Sequence, residues 1–240
     1  MSAKYEKNIY LAMLAEQCSR FDEMVDFLED LLKSRDDDLN SDERNLLSIA
    51  YKNSISGLRT AIRTTIAYET KESKKSGSNF LPYIKEYKQK LETELTAKCQ
   101  KIIQFIDSKL IPKAKEDEAK VFYIKMKGDY YRYIAEYAEG DEKEKVANGA
   151  MTAYEEAQKI SKGLPTLNPI ALGLILNFSV FYYEVKNDRD TAIKLAEEAV
   201  AKAEPELANQ DEENEELKDV VSIFNLLKEN LEMWKNPGDE

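Results

Sequence analysis

Apolar residues return every three or four positions along most of the chain, and no stretch alternates with a period of two. That recurrence is what a helix with one buried face requires. Polar punctuation divides the pattern. Asn40 precedes a long periodic run and Glu43 follows three residues later, which suits an N-cap with its capping-box acid. Lys71–Asn79 (KESKKSGSN) reads as a loop, Pro112 ends the long helix after it, and Gly140-Asp141 breaks the next. Gly163 through Pro169 forms a second connector, and Lys186–Asp190 and Pro205–Asn214 separate the last helices. The pattern predicts nine antiparallel helices at 3–18, 20–34, 41–72, 80–111, 117–139, 144–163, 168–186, 190–204 and 211–235. No composition shift marks a boundary, so residues 1–240 are expected to form one all-α domain, with a flexible tail after Trp234.

Composition supports this and removes several classes of function. Hydrophobic residues make up 42% and charged residues 34%, enough for a sizeable core and a solvated surface. Eight Gly and six Pro leave little material for the tight turns of an all-β fold. Acidic residues outnumber basic ones, 46 to 35, for a formal charge of −11. Such a surface repels nucleic acid and anionic membranes, so a phosphate site has to be a local basic island. The absence of histidine removes His-based triads and imidazole acid–base chemistry. Cys18 and Cys99 are too few for a disulfide framework or a zinc site. No secretory signal and no run of eighteen apolar residues is visible, which points to the cytosol, with nuclear access.

The helix faces carry the candidate chemistry. Leu47, Tyr51, Ile55, Leu58, Ile62 and Ile66 form the expected buried stripe of the third helix. About 100° around lie Lys52, Ser56, Arg59 and Arg63, which on periodicity alone read as a solvated cationic face. In the fifth helix, Met126, Tyr130, Ile134 and Tyr137 face one way, while Lys125, Gly128, Asp129, Arg132 and Glu136 cluster on the other. Periodicity alone favours a charged exterior with internal ion pairs. Gly128 argues against it, because a mid-helix glycine often marks the close approach of another backbone. Gly173, Asn177, Val180 and Glu184 share an arc of the seventh helix, as do Ile223, Leu226, Asn230, Met233 and Trp234 in the ninth. Each Asn is either a satisfied interhelical residue or part of a groove wall that pairs with a peptide backbone.

These segments resemble a known family. Arg44–Asn53 (RNLLSIAYKN) with Gly57 and Arg59, Val121–Glu136 (VFYIKMKGDYYRYIAE), Pro169–Glu184 (PIALGLILNFSVFYYE) and Leu226–Trp234 are similar to signatures of the 14-3-3 proteins. The resemblance runs nearly without gaps along the chain. It implies a concave horseshoe of nine helices per subunit, paired into a cup-shaped dimer, whose groove binds phosphoserine- or phosphothreonine-containing segments of client proteins. No enzyme activity, cofactor or metal is implied. Carried over by position, the phosphate pocket falls on Lys52, Arg59, Arg132 and Tyr133 with Lys125 nearby, and the peptide backbone on Asn177 and Asn230. The groove wall comprises Leu176, Val180, Ile223, Leu226 and Trp234, with Glu184 beside it. The implied interface comprises Leu14, Ala15, Cys18, Arg20, Glu23, Tyr87, Lys90 and Glu94, forming a homodimer or a heterodimer with Arg20–Glu94 and Glu23–Lys90 ion pairs across the two-fold. Three departures stand out. Ser222 replaces a usual apolar residue, Ala61 replaces a serine that some members phosphorylate, and only six residues follow Trp234.

Two other readings have a basis in the sequence. Ala192–Leu207 looks like the second helix of a tetratricopeptide unit, which makes a scaffold for unphosphorylated peptides the alternative. That scaffold leaves the paired cationic stripes on two helices unexplained. Asp36-Asp37-Asp38 resembles a metal-binding cluster, but as an EF-hand it would have Ser41 where Gly is needed and Leu47 where Glu is needed. A solvated loop before a helix start fits it better.

Overall fold

The computed structural model describes residues 3–75, 77–210, 214 and 217–236. Among these residues there is no strand, and nine α-helices follow one another at the expected places. They are α1 Ala3–Gln17, α2 Phe21–Ser34, α3 Ser41–Ser73, α4 Leu81–Phe105, α5 Asp117–Ala135, α6 Gly140–Ser161, α7 Pro169–Glu184, α8 Arg189–Leu207 and α9 Lys218–Lys235. A π turn, Ile106–Leu110, and a short 3-10 turn, Ile111–Lys113, continue α4. The chain divides into two compact units, Met1–Lys113 and Ala114–Glu240. None of the helices is long and apolar enough to cross a membrane.

Several predicted boundaries move, for identifiable reasons. α6 starts at Gly140 rather than 144, because Gly140 takes φ of +56° and so absorbs the turn. Pro205 does not end α8. It lacks an N–H for its own turn, but the Ala208 N–H donates to the Glu204 carbonyl at 3.0 Å and closes the next one. The beginning predicted for α9 and the tail predicted after Trp234 fall mostly outside the described residues.

In the first unit, α1 packs on α2, α2 on α3 and α3 on α4. The expected cap of α3 is present. Asn40 Oδ1 accepts from the Glu43 N–H, and Glu43 Oε2 accepts from the Asn40 N–H, both at 2.9 Å. Arg35 Nη1 donates to both Glu43 oxygens at 2.8 Å and to Tyr5 Oη at 2.9 Å, tying the α2–α3 connector to α1. Leu47, Tyr51, Ile55 and Ile62 are buried as expected, but Ile66 is 38% exposed. Over a helix of 33 residues the apolar line drifts around the axis, and Thr65 takes the buried place. Its hydroxyl donates back to the Ala61 carbonyl at 2.8 Å. Glu29, 2% exposed, braces three helices: Tyr51 Oη of α3 donates to it at 2.7 Å, and Lys101 Nζ of α4 lies 2.7 Å away.

In the second unit, α5 is covered on most of its circumference by α6 and α7. Asn168 sets α7 against it. Its Oδ1 caps the Ile170 and Ala171 N–H groups at 3.0 Å, while its Nδ2 donates to Glu118 at 2.8 Å. α8 and α9 pack on α7 around a core that includes Leu172, Ala196, Phe224, Leu227 and Trp234.

Candidate functional site

The polar face of α5 is not an exterior. Gly128 is buried, and Asp129 and Arg132 are each only 6% exposed. The cover is α6, whose buried face is mostly small, with Ala147, Ala150, Ala153 and Ala157, apart from one large ring, Tyr154. A Cβ on residue 128 would lie 2.7 Å from Tyr154 Cε1, so glycine is what lets that ring lie flat on α5. The sequence suggested approach of a backbone at this point. An aromatic side chain comes instead.

Tyr154 brings its hydroxyl to Asp129, donating to Oδ1 at 2.6 Å. Asn177 Nδ2 of α7 donates to the same oxygen at 2.8 Å, and Lys125 Nζ pairs with Oδ2 at 3.0 Å. Arg132 Nη2 lies 3.7 Å from Oδ1, and its Nε donates to Tyr154 Oη at 3.2 Å. One buried carboxylate thus fixes two cations, a phenol and an amide drawn from three helices. Burial pushes Asp129 up, but Lys125 and Arg132 beside it outweigh this and hold it below its ordinary value. Burial likewise opposes the charge on Arg132, and Tyr154, Tyr133 and Asp129 more than restore it, so the guanidinium stays charged. Tyr154 is raised, first by burial and then by Asp129, so its proton stays on the phenol.

The outer side of Arg132 is held more loosely. Its Nη1 reaches Glu136 at 3.5 Å and Glu184 at 3.9 Å. A well-formed charge-assisted bond is about 2.7–2.9 Å. The guanidinium also lies over the ring of Tyr133, 4.8 Å from its centroid. Five expected residues therefore share one cluster: Lys125, Arg132, Tyr133, Asn177 and Glu184. Lys52, exposed, and Arg59, half-buried, lie on α3 of the first unit.

The expected wall residues separate by burial. Leu176, Val180 and Ile223 are half-buried against the α8–α9 core, and Ile223 Cδ1 lies 3.8 Å from where a Cβ on Gly173 would stand, an ordinary packing distance. Asn230 is half-buried, and Leu226 is 45% exposed. Trp234 is 1% exposed, its ring stacked on Tyr183 at 5.0 Å. Of the residues expected at the dimer face, Leu14, Cys18, Arg20, Glu23, Tyr87, Lys90 and Glu94 are exposed and Ala15 is buried. Within one chain Arg20 is bonded to Glu23. A groove of about 400 Å³ lined by Thr64, Tyr68, Phe80, Tyr83, Ile84 and Tyr87 opens on the α3–α4 surface.

Sequence reasoning named neither Asp129 nor Tyr154 as a site residue. A signal for each was present: an acid directly after a mid-helix glycine, and one large ring in an alanine stripe.

This arrangement defines an all-helical binding protein whose cationic site is braced in advance by a buried acid. The sequence profile of the 14-3-3 protein family matches residues 11–235. The chain is 45% identical to 14-3-3-like protein GF14-F of Oryza sativa over 240 residues, 99% of this chain and 92% of that relative. It is 45% identical to 14-3-3-like protein A of Hordeum vulgare, with 99% and 91% covered, and 46% identical to 14-3-3-like protein GF14 nu of Arabidopsis thaliana, with 98% and 89% covered. The chain belongs to the 14-3-3 family.

Proposed function

We propose that this protein is an adaptor that binds phosphoserine- or phosphothreonine-bearing segments of client proteins and catalyses no reaction itself. The observation that supports this best is Arg132. It is buried, kept charged, aligned by Tyr154 and Asp129, and only loosely engaged on its Nη1 side. A phosphomonoester carries about −1.5 to −2 charge and three acceptor oxygens, which can draw Nη1 away from Glu136 and Glu184. Tyr133 and Lys125 add donors to the same ligand, and Lys52 and Arg59 of α3 add two further cations. Asn177 and Asn230 pair with the peptide backbone, while Leu176, Val180, Ile223 and Leu226 take its side chains. The active form is a homodimer, joined through the exposed α1 residues and the aromatic groove of α3 and α4, and it works in the cytosol with access to the nucleus.

The test is binding of one peptide with and without its phosphate, followed by fluorescence anisotropy. Phosphate is expected to tighten binding about a hundredfold or more, and Arg132→Lys, Lys52→Ala and Arg59→Ala each to weaken it about ten- to a hundredfold. Equal affinity for both peptides would favour the tetratricopeptide-like alternative. Sedimentation of Leu14→Asp as a monomer, against a wild-type dimer, checks the assembly.

A further inference from the structure

At the C-terminal end of α9 the Asn236 N–H donates to the Glu232 carbonyl at 3.1 Å, which leaves the later carbonyls to find other partners. Asn236 takes φ −121° and ψ 66°, so it does not form the left-handed turn that closes many helices. The last carbonyls of a helix have no partners within it and carry the negative end of its dipole. Here the partner comes from another helix. Arg189, the first residue of α8, donates Nε to the Trp234 carbonyl at 2.6 Å and Nη2 to the Lys235 carbonyl at 3.1 Å.

Arg189 is itself held to α7. The chain leaves α7 through Asn187 at φ +53°, and the Asp188 N–H returns to the Tyr182 carbonyl at 2.9 Å. Asp188 then caps α8, accepting from the Thr191 N–H at 3.1 Å and the Thr191 hydroxyl at 2.7 Å. The four-residue connector 185–188, fixed at both ends, together with Arg189 therefore joins the last turn of α7 to the last turn of α9. Two further polar links of α9 are side-chain ion pairs half open to water, Lys228–Glu204 at 3.2 Å and Lys235–Glu197 at 2.5 Å, which solvent screens. Trp234 is fully packed, yet its indole N–H has no hydrogen-bond partner among the described residues, so its ring fixes this end by packing and the backbone clamp adds polar fixing.

The two helices joined in this way carry the two apolar arcs, with Asn177, Val180 and Glu184 on α7 and Ile223, Leu226 and Asn230 on α9. We propose that Arg189 is a positioning residue that sets the pose of α9 against α7 and so tunes selectivity for the peptide residues flanking the phosphate. This rests on the phosphopeptide reading above. Arg189 touches no ligand in this scheme; it acts through the carbonyls of Trp234 and Lys235.

The full chain and its Arg189→Ala variant are to be compared against three probes: a long phosphoserine peptide, the same peptide unphosphorylated, and the phosphopeptide trimmed to one residue on each side. The variant is expected to lose roughly two- to tenfold in affinity for the long phosphopeptide and nothing for the trimmed one. Amide exchange should rise in the last two turns of α9 and stay unchanged in α5. Equal losses for both phosphopeptides, no loss for either, or unchanged exchange in α9 would overturn the inference. Wild-type protein that binds the long peptide equally well without its phosphate would instead overturn the phosphopeptide reading, and with it the role given to Arg189.

Discussion

Each unit of the chain buries one carboxylate against a tyrosine hydroxyl, and the two differ in what else they hold. Glu29 in the first unit takes Tyr51 from α3 and Lys101 from α4, and the lysine is 52% exposed. These two partners come from other helices and end on the acid, with Lys33 of its own helix 4.0 Å away, so the arrangement is a brace. Asp129 in the second unit holds Lys125 and Arg132, both on its own helix, one turn to either side. Tyr154 and Asn177 from α6 and α7 fix the acid in place. The first acid uses cations to hold helices together. The second uses helices to hold cations in place, and the proposed function requires those cations to accept a further anion.

The strongest way to break this comparison is Asp129→Ala. It strands Arg132 in a buried position with its organising acid gone, which is expected to cost about 3–5 kcal/mol by urea unfolding. Phosphopeptide affinity should fall with it, because Tyr154, no longer anchored on the acid, is then the guanidinium's one remaining partner on its Nε side. Retention of wild-type affinity in the folded variant would make Asp129 a mere brace, like Glu29. Gly128→Ala comes next. The new methyl would sit 2.7 Å from a ring stacked on Phe178, so Tyr154 has to move away from Asp129. Overpacking of this kind costs about 1–3 kcal/mol, less roughly 1 kcal/mol gained from helix propensity. A net stabilisation would mean that the ring is not confined.

Glu29→Gln should be milder. The amide oxygen still accepts from Tyr51, and Lys101 is open enough to regain water, so about 1 kcal/mol is expected. Phosphopeptide affinity measured on the folded variant should stay unchanged. A selective loss of binding would erase the distinction between brace and site.

Helix periodicity made the nine elements legible, since each buries an apolar arc against neighbours joined by short connectors. It could not give the environment of α5. A charged stripe reads the same whether water or a ring covers it, and here Tyr154 arrives from 25 positions along the chain. Gly128 was the one local sign of this, and it pointed to closeness without saying to what. The resemblance supplied Arg132, Tyr133 and Lys125 by position, whereas Asp129 and Tyr154 emerge from their bonds. Trp234 shows the opposite limit. It lies on the same arc as Asn230, but stacking on Tyr183 draws it into the core, which a helical arc cannot register.

The smallest effect expected lies on the acid limb of the stability curve, and it separates the charge of Asp129 from its shape. Despite burial, Lys125 and Arg132 hold this carboxyl below its ordinary value. A group depressed in the folded chain contributes stability that is complete above its unfolded value, about 3.9 for Asp, and that vanishes as pH falls through the folded value. The folded wild type should therefore lose urea resistance below about pH 4, while Asp129→Asn, already lacking the charge, loses less over the same interval. Asp22, Glu72 and Asp188 are also depressed, through contacts with Lys98, Lys75 and Thr191 respectively. They lie near the surface and are common to both proteins, so the difference between the two curves isolates Asp129. Parallel curves would mean that the acid limb is set elsewhere and that the cations of α5 do not depend on this carboxylate for their charge balance.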